Sequence, residues 1–133
     1  MLKVCLDSNV LVSGLVFGGQ PGKIVDQALI GKNWRLVTSQ HILDEVERNT
    51  IKCGVSRWKV RRLVQRLADA AEFSTPKGQL KLPSLEPGDL LVLETAWLTR
   101  ARYLITGDKA FLALGHYKYT RVIEPKHFLA LVA

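Results

Sequence analysis

Residues 5–14 read CLDSNVLVSG, setting the carboxylate of Asp7 and the carboxamide of Asn9 at the seam between two apolar runs. Asp108 has a similar setting, two residues beyond the apolar run YLIT in YLITGDK. Between them in the chain lie Asp44, Glu45 and Glu47 in HILDEVER, and Asp89 at the head of DLLVLETAW. Taken one at a time, these acids have ordinary structural roles as helix caps, turn residues or solvated side chains. Taken together they raise an electrostatic problem. Two like charges about 4 Å apart repel by roughly 4 kcal/mol at an effective dielectric near 20. Three or four carboxylates round one crevice therefore need protonation or a cation to coexist. Hard divalent ions such as Mg²⁺ and Mn²⁺ favour such oxygen ligands, and a carboxylate-held ion can orient and acidify a water that attacks a phosphodiester.

The elements that would carry these acids can be read from hydropathy. LKVCL (2–6) and RLVTS (35–39) predict buried strands, as do RYLIT (102–106) and RVI (121–123). KIVDQALI (23–30) has helical spacing and stops at Gly31, after a Gly- and Pro-containing stretch, FGGQPGK (17–23), expected as a loop. That stretch is no phosphate loop: Phe17 stands where the first glycine belongs, and Ile24 follows Lys23 where Ser or Thr is required. Ser39 is placed to cap a helix through QHILDEVERN, and Ser56 one spanning 56–73, with Trp58 on its apolar face. A three-proline segment (74–88) predicts an extended loop before a buried helix over 89–101. AFLAL predicts a short helical piece and PKHFLALV a closing helix that starts at Pro125.

Strands alternating with helices predict an α/β layered domain with a mainly parallel sheet, spanning 1–133 as one unit. In such sheets functional groups gather beyond the carboxyl ends of the strands, where Asp7 and Asp108 both fall. The helix after Ser39 has its apolar face at Ile42, Leu43 and Val46. Asp44 points away from that face, while Glu45 and Glu47 flank it on opposite sides. Helix geometry does not choose between those two.

A net charge of +7 favours a polyanionic partner, most often nucleic acid. No apolar stretch reaches the roughly 18–20 residues of a membrane span, and the N-terminus does not read as a signal peptide. Cys5 and Cys53 lack metal-ligand spacing and fit a reducing cytosol, so a cytoplasmic location is expected, with no membrane partner.

Four blocks, VCLDSNVLVSGLVFGGQP, LVTSQHILDEVER, EPGDLLVLETAW and YLITGDKAFLAL, resemble the PIN domain over nearly the whole chain and in order. The likeness is greatest to the bacterial and archaeal branch of toxin components from toxin–antitoxin systems, the VapC-like ribonucleases. It implies a three-layer α/β/α fold and a metal-dependent ribonuclease using Mg²⁺ or Mn²⁺. By position it assigns Asp7, Glu45, Asp89 and Asp108 as the catalytic and metal-holding acids, selecting Glu45 over Glu47. Asn9, Ser13 and Thr106 match polar positions that orient a carboxylate or hold water, and Glu94 matches a frequent acidic position. The branch often has Asp or Asn directly after the third acid, where this chain has Leu90. It also implies an antitoxin whose basic side chain blocks the crevice, and a homodimer or higher homo-oligomer.

For the RNA backbone, the sequence offers a basic helix face with Arg57, Arg61 and Arg62, and Lys109 beside Asp108. HYKYTR (116–121) interleaves Tyr117 and Lys118 as a stacking platform. The three histidines show no mutual spacing and receive no role. The competing expectation is a non-catalytic RNA-binding or partner-binding module whose activity is weakened by the missing acid at Leu90.

Overall fold

A computed structural model describes residues 1–132; Ala133, the last residue of the expected 1–133 unit, lies outside them. Strand β1 (Lys3–Leu6) runs into Asp7, whose extended backbone starts helix α1 (Ser8–Val16). The second apolar run of the opening motif is thus helical in spite of its valines. Its carboxylate cap accepts the Ser8 N–H, and burial of Val10 and Leu11 outweighs the small propensity cost of β-branched residues.

Helix α2 (Gly19–Ile30) begins inside the stretch expected as a loop. Pro21 falls in its first turn, where a missing N–H breaks no intrahelical bond. The helix stops at Gly31, which has the left-handed φ of 64°. Helices α1 and α2 cross closely at Gly14. A Cβ there would stand 2.7 Å from Val25 Cγ2 and 2.8 Å from the Pro21 carbonyl oxygen. Since the second obstacle is backbone, Gly14→Ala is expected to cost about 2 kcal/mol of stability, read as a lower urea midpoint at unchanged slope.

Strand β2 (Arg35–Thr38) leads to α3 (Gln40–Lys52), where the Ser39 hydroxyl accepts the Ile42 N–H at 3.5 Å, as the cap reading expects. Helix α4 (Arg57–Ala70) ends before Phe73, because Glu72–Phe73 form a short strand, β3, parallel to β2. Trp58 is 64% exposed rather than on the packed face of α4. Helix α5 (Pro87–Thr99) follows the proline-containing loop. After it come β4 (Tyr103–Ile105), α6 (Lys109–Leu114), β5 (His116–Tyr117), β6 (Thr120–Ile123) and α7 (Pro125–Val132).

The six strands lie in the order β3-β2-β1-β4-β6-β5, all parallel to their neighbours except the β5–β6 pair. Helices α1 to α4 pack on one another, and α5 packs on β1, β2 and β4, which gives the expected three-layer α/β/α arrangement. The core includes Leu6, Leu36, Leu104 and Phe111, all fully buried. Trp34 is buried edge-on to Phe128 at 5.3 Å, with its Nε1–H donated to Gln27. Among the described residues no helix is long and apolar enough to cross a membrane.

Chain order explains where a site would form. From β1 the chain winds outward through β2 to β3, then returns to β4 on the other side of β1 and winds to β6. The winding therefore reverses between β1 and β4, and a crevice opens there at the carboxyl ends of the strands.

Candidate active site

Register fixes the two outer acids. Leu6 lies opposite Ile105 in the parallel β1–β4 pair, so Asp7 and Thr106 leave the sheet side by side at the reversal. The Asp7 N–H donates to the Ile105 carbonyl at 2.9 Å, which ties the exit of β1 to β4. The Thr106 hydroxyl donates to Asp7 Oδ2 at 2.7 Å and accepts the Asp108 N–H at 3.0 Å. The other Asp7 oxygen accepts the Ser8 N–H at 2.8 Å. Asp108 in turn caps α6, accepting the Phe111 N–H at 3.3 Å. Both acids are caps and crevice residues at once, so the structural and chemical readings do not compete.

Asp89 lies in the first turn of α5, where the helix dipole favours an acid. Glu45 lies one turn into α3. The electrostatics link the four. Burial first, and then the charges of Asp89 and Glu45, push the Asp7 carboxyl up from 3.8 to about 6, against the lowering effect of its bonds to Thr106 and Ser8. Asp89 is also raised, first by burial and then by the charges of Asp108 and Glu45. Acids from four chain segments are thus close enough for their charges to act on Asp7 or Asp89. Glu47 is not among them: its Oε1 accepts from Arg61 Nε of α4 at 3.2 Å. Packing turns Glu47 to α4, whereas the charge of Glu45 acts on Asp7 and Asp89.

The hydrogen bonds reassign two of the expected supporting residues. Asn9 is exposed and makes none of the bonds to Asp7; the Ser8 N–H and the Thr106 hydroxyl orient that carboxylate. Glu94 faces neither solvent nor the crevice. It is 1% exposed, and its two oxygens accept the backbone N–H groups of Lys77 and Gln79 from the loop between β3 and α5. Ser13 is half-buried in α1, and its carbonyl accepts the Phe17 N–H at the helix end. Leu90 is half-buried against the core.

The expected RNA contacts are scattered. Arg57 of α4 lines a cleft along α3 with Asp44, Glu47, Arg48, Ile51 and Lys52. Arg61 is held by Glu47, while Arg62 shares a shallow groove with Trp58 and Arg66. Tyr117 packs edge-on to Trp97 at 6.5 Å, and Lys118 lies 5.8 Å above the Tyr117 ring. Lys109, directly after Asp108, is the candidate at the crevice rim.

Sequence reasoning missed His41. Its Nε2 is 3.1 Å from Glu45 Oε1, one helical turn along, yet the angles do not make a hydrogen bond and that buried atom has no partner. An His at i−4 from a crevice acid on one helix face is the signal that points to it.

A family profile described as PIN domain matches residues 3–110. The chain belongs to the PIN-domain family. PIN domains are generally nucleases, hydrolases that use divalent metal ions. No curated protein matches the chain.

The acids of this PIN domain fit such an ion by donor chemistry: all are oxygen donors, and the charges acting on Asp7 and Asp89 are those of other acids. They are not drawn together in advance. Among the described residues no three His, Cys, Asp or Glu side chains form a group ready to hold a metal.

Proposed function

We propose that this PIN domain is a metal-dependent endoribonuclease, and that it is the cytoplasmic toxin of a toxin–antitoxin pair. The observation that carries the reading is that the charges of Glu45 and Asp89 act on Asp7, and those of Asp108 and Glu45 on Asp89, at the β1–β4 reversal. These four would hold Mg²⁺ or Mn²⁺, with 1–133 acting as one domain. When bound, the ion supplies an activated water and offsets charge on the phosphoryl oxygens. Thr106 and the Ser8 N–H hold the Asp7 carboxylate in one orientation, and the same Thr106 oxygen fixes the Asp108 backbone. Lys109 at the rim attracts the RNA backbone. An antitoxin would inhibit by placing a basic side chain among the acids, and a homodimer is the assembly the family branch suggests.

The experiment is a metal titration with end-labelled single-stranded RNA. Cleavage is expected only with Mn²⁺ or Mg²⁺, leaving 5′-phosphate ends, and a chelator abolishes it. The second reading, an RNA-binding module without catalysis, is favoured by the acids not being pre-gathered and by Leu90 in place of a further acid. It predicts salt-sensitive RNA binding with no cleavage at any Mn²⁺ concentration.

A further inference from the structure

Beside the acids, on the far side of His41, is a cavity of about 400 Å³. That volume falls within the range of small-ligand sites, about 300–1,000 Å³. Its walls come from four places: Gln40 and His41 at the start of α3, Phe73 ending β3, Ser74, Thr75 and Pro76 of the following loop, and Leu91 of α5. We infer that this cavity is a nucleobase pocket, which seats a base of single-stranded RNA beside the acidic crevice. The inference rests on the ribonuclease reading and names the substrate contact that would set its base preference.

The lining suits a flat, uncharged heterocycle. Phe73 is 45% exposed, although it belongs to a strand of the central sheet, so its ring offers a face for stacking. Leu91 supplies an apolar surface opposite polar edges. Gln40 donates its amide nitrogen to Asp44 at 2.8 Å, which fixes the side chain and leaves its carbonyl oxygen to accept from a base. Ser74 donates its hydroxyl to the Thr95 carbonyl at 3.4 Å, and its oxygen can accept as well. None of the lining side chains is an acid, a lysine or an arginine, so the cavity does not select a phosphate.

The walls are held in place. Ser74 donates its N–H to the Thr38 carbonyl, extending the β2–β3 pairing by one bond, and Glu94 clamps the same loop at Lys77 and Gln79. One lining residue connects the pocket to the acids. His41 lines the cavity and also approaches Glu45, with its unpartnered Nε2 between them.

The test uses ¹⁵N-labelled protein in EDTA, titrated with the four 5′-mononucleotides and, as a control without a base, ribose 5-phosphate. At least one nucleotide is expected to give saturable shifts at the amides of Gln40, Phe73, Ser74 and Thr75, and ribose 5-phosphate none. Phe73→Ala weakens that binding by about tenfold and Phe73→Trp restores it, at unchanged thermal midpoints. Absence of saturable shifts, equal shifts with the sugar phosphate, or unaltered binding by Phe73→Ala overturns the pocket. Those results alongside intact Mn²⁺-dependent cleavage leave the nuclease standing. Base binding at these amides in a protein that never cleaves RNA keeps the pocket and removes the nuclease.

Discussion

Asp7→Asn is expected to abolish RNA cleavage and, in the metal-free protein, to raise stability. The activity loss is roughly a thousandfold or more, equivalent to about 4 kcal/mol of transition-state stabilisation, because the substitution removes a charged oxygen donor from the crevice. The stability gain follows from the pKa. Burial raises the Asp7 carboxyl from 3.8 to about 6, so the folded state holds this proton more tightly than the unfolded chain. Stability from this group is therefore greatest below pH 4 and is lost as pH rises from about 4 to about 6. Above that window the ionised carboxylate costs about 3 kcal/mol at most. The amide of Asn carries no such cost and keeps an oxygen for the Ser8 N–H, so a gain near 2 kcal/mol is expected at pH 7.5. Urea denaturation in EDTA reads it, and repeating the series at pH 4 should shrink the difference. Adding Mn²⁺ should then reverse the order, stabilising the parent protein and leaving the variant unchanged. A variant that still cleaves RNA in a metal-dependent way would remove Asp7 from the mechanism.

Glu94→Ala should instead lower stability. Here the buried acid answers two backbone N–H groups of the β3–α5 loop, so truncation leaves both donors without partners and opens a void. Each lost partner costs about 1–3 kcal/mol, and the total expected is about 4 kcal/mol. Glu94→Gln keeps one acceptor and should cost about half. Hydrogen exchange localises the effect: the amides of Lys77 and Gln79 lose protection first, ahead of the sheet. Because the same loop leads directly into α5, cleavage should fall too. Uniform loss of protection across the chain would show that Glu94 supports the fold generally rather than this loop.

The contrast between these two acids also marks how far the sequence could be read. Strands β1, β2, β4 and β6 were legible because short apolar runs bounded by turns are what a buried parallel sheet requires. The placement of Asp7 and Asp108 followed from that pattern, since both stand at strand ends. What was not legible depends on contacts across the chain. The VLVSGLV run has the valine content of a strand, and only its cap and its packing against α2 make it a helix. Glu94 looked like any acid on a helix, because its partners lie 15 and 17 residues earlier in a loop without periodicity. Trp58 fits an apolar spacing, yet α4 buries Val60 and Leu67 and leaves the indole outside. Glu45 and Glu47 differ only in which neighbour each meets, Arg61 for one and the crevice for the other.

The sheet ends on both sides in strands of two residues, β3 and β5. A long, flat outer strand would present a row of free amides and carbonyls to other chains, the usual starting point for fibrous aggregation. Margins this short give an incoming strand almost nothing to pair with. Growth from one sheet edge to the next is thereby disfavoured.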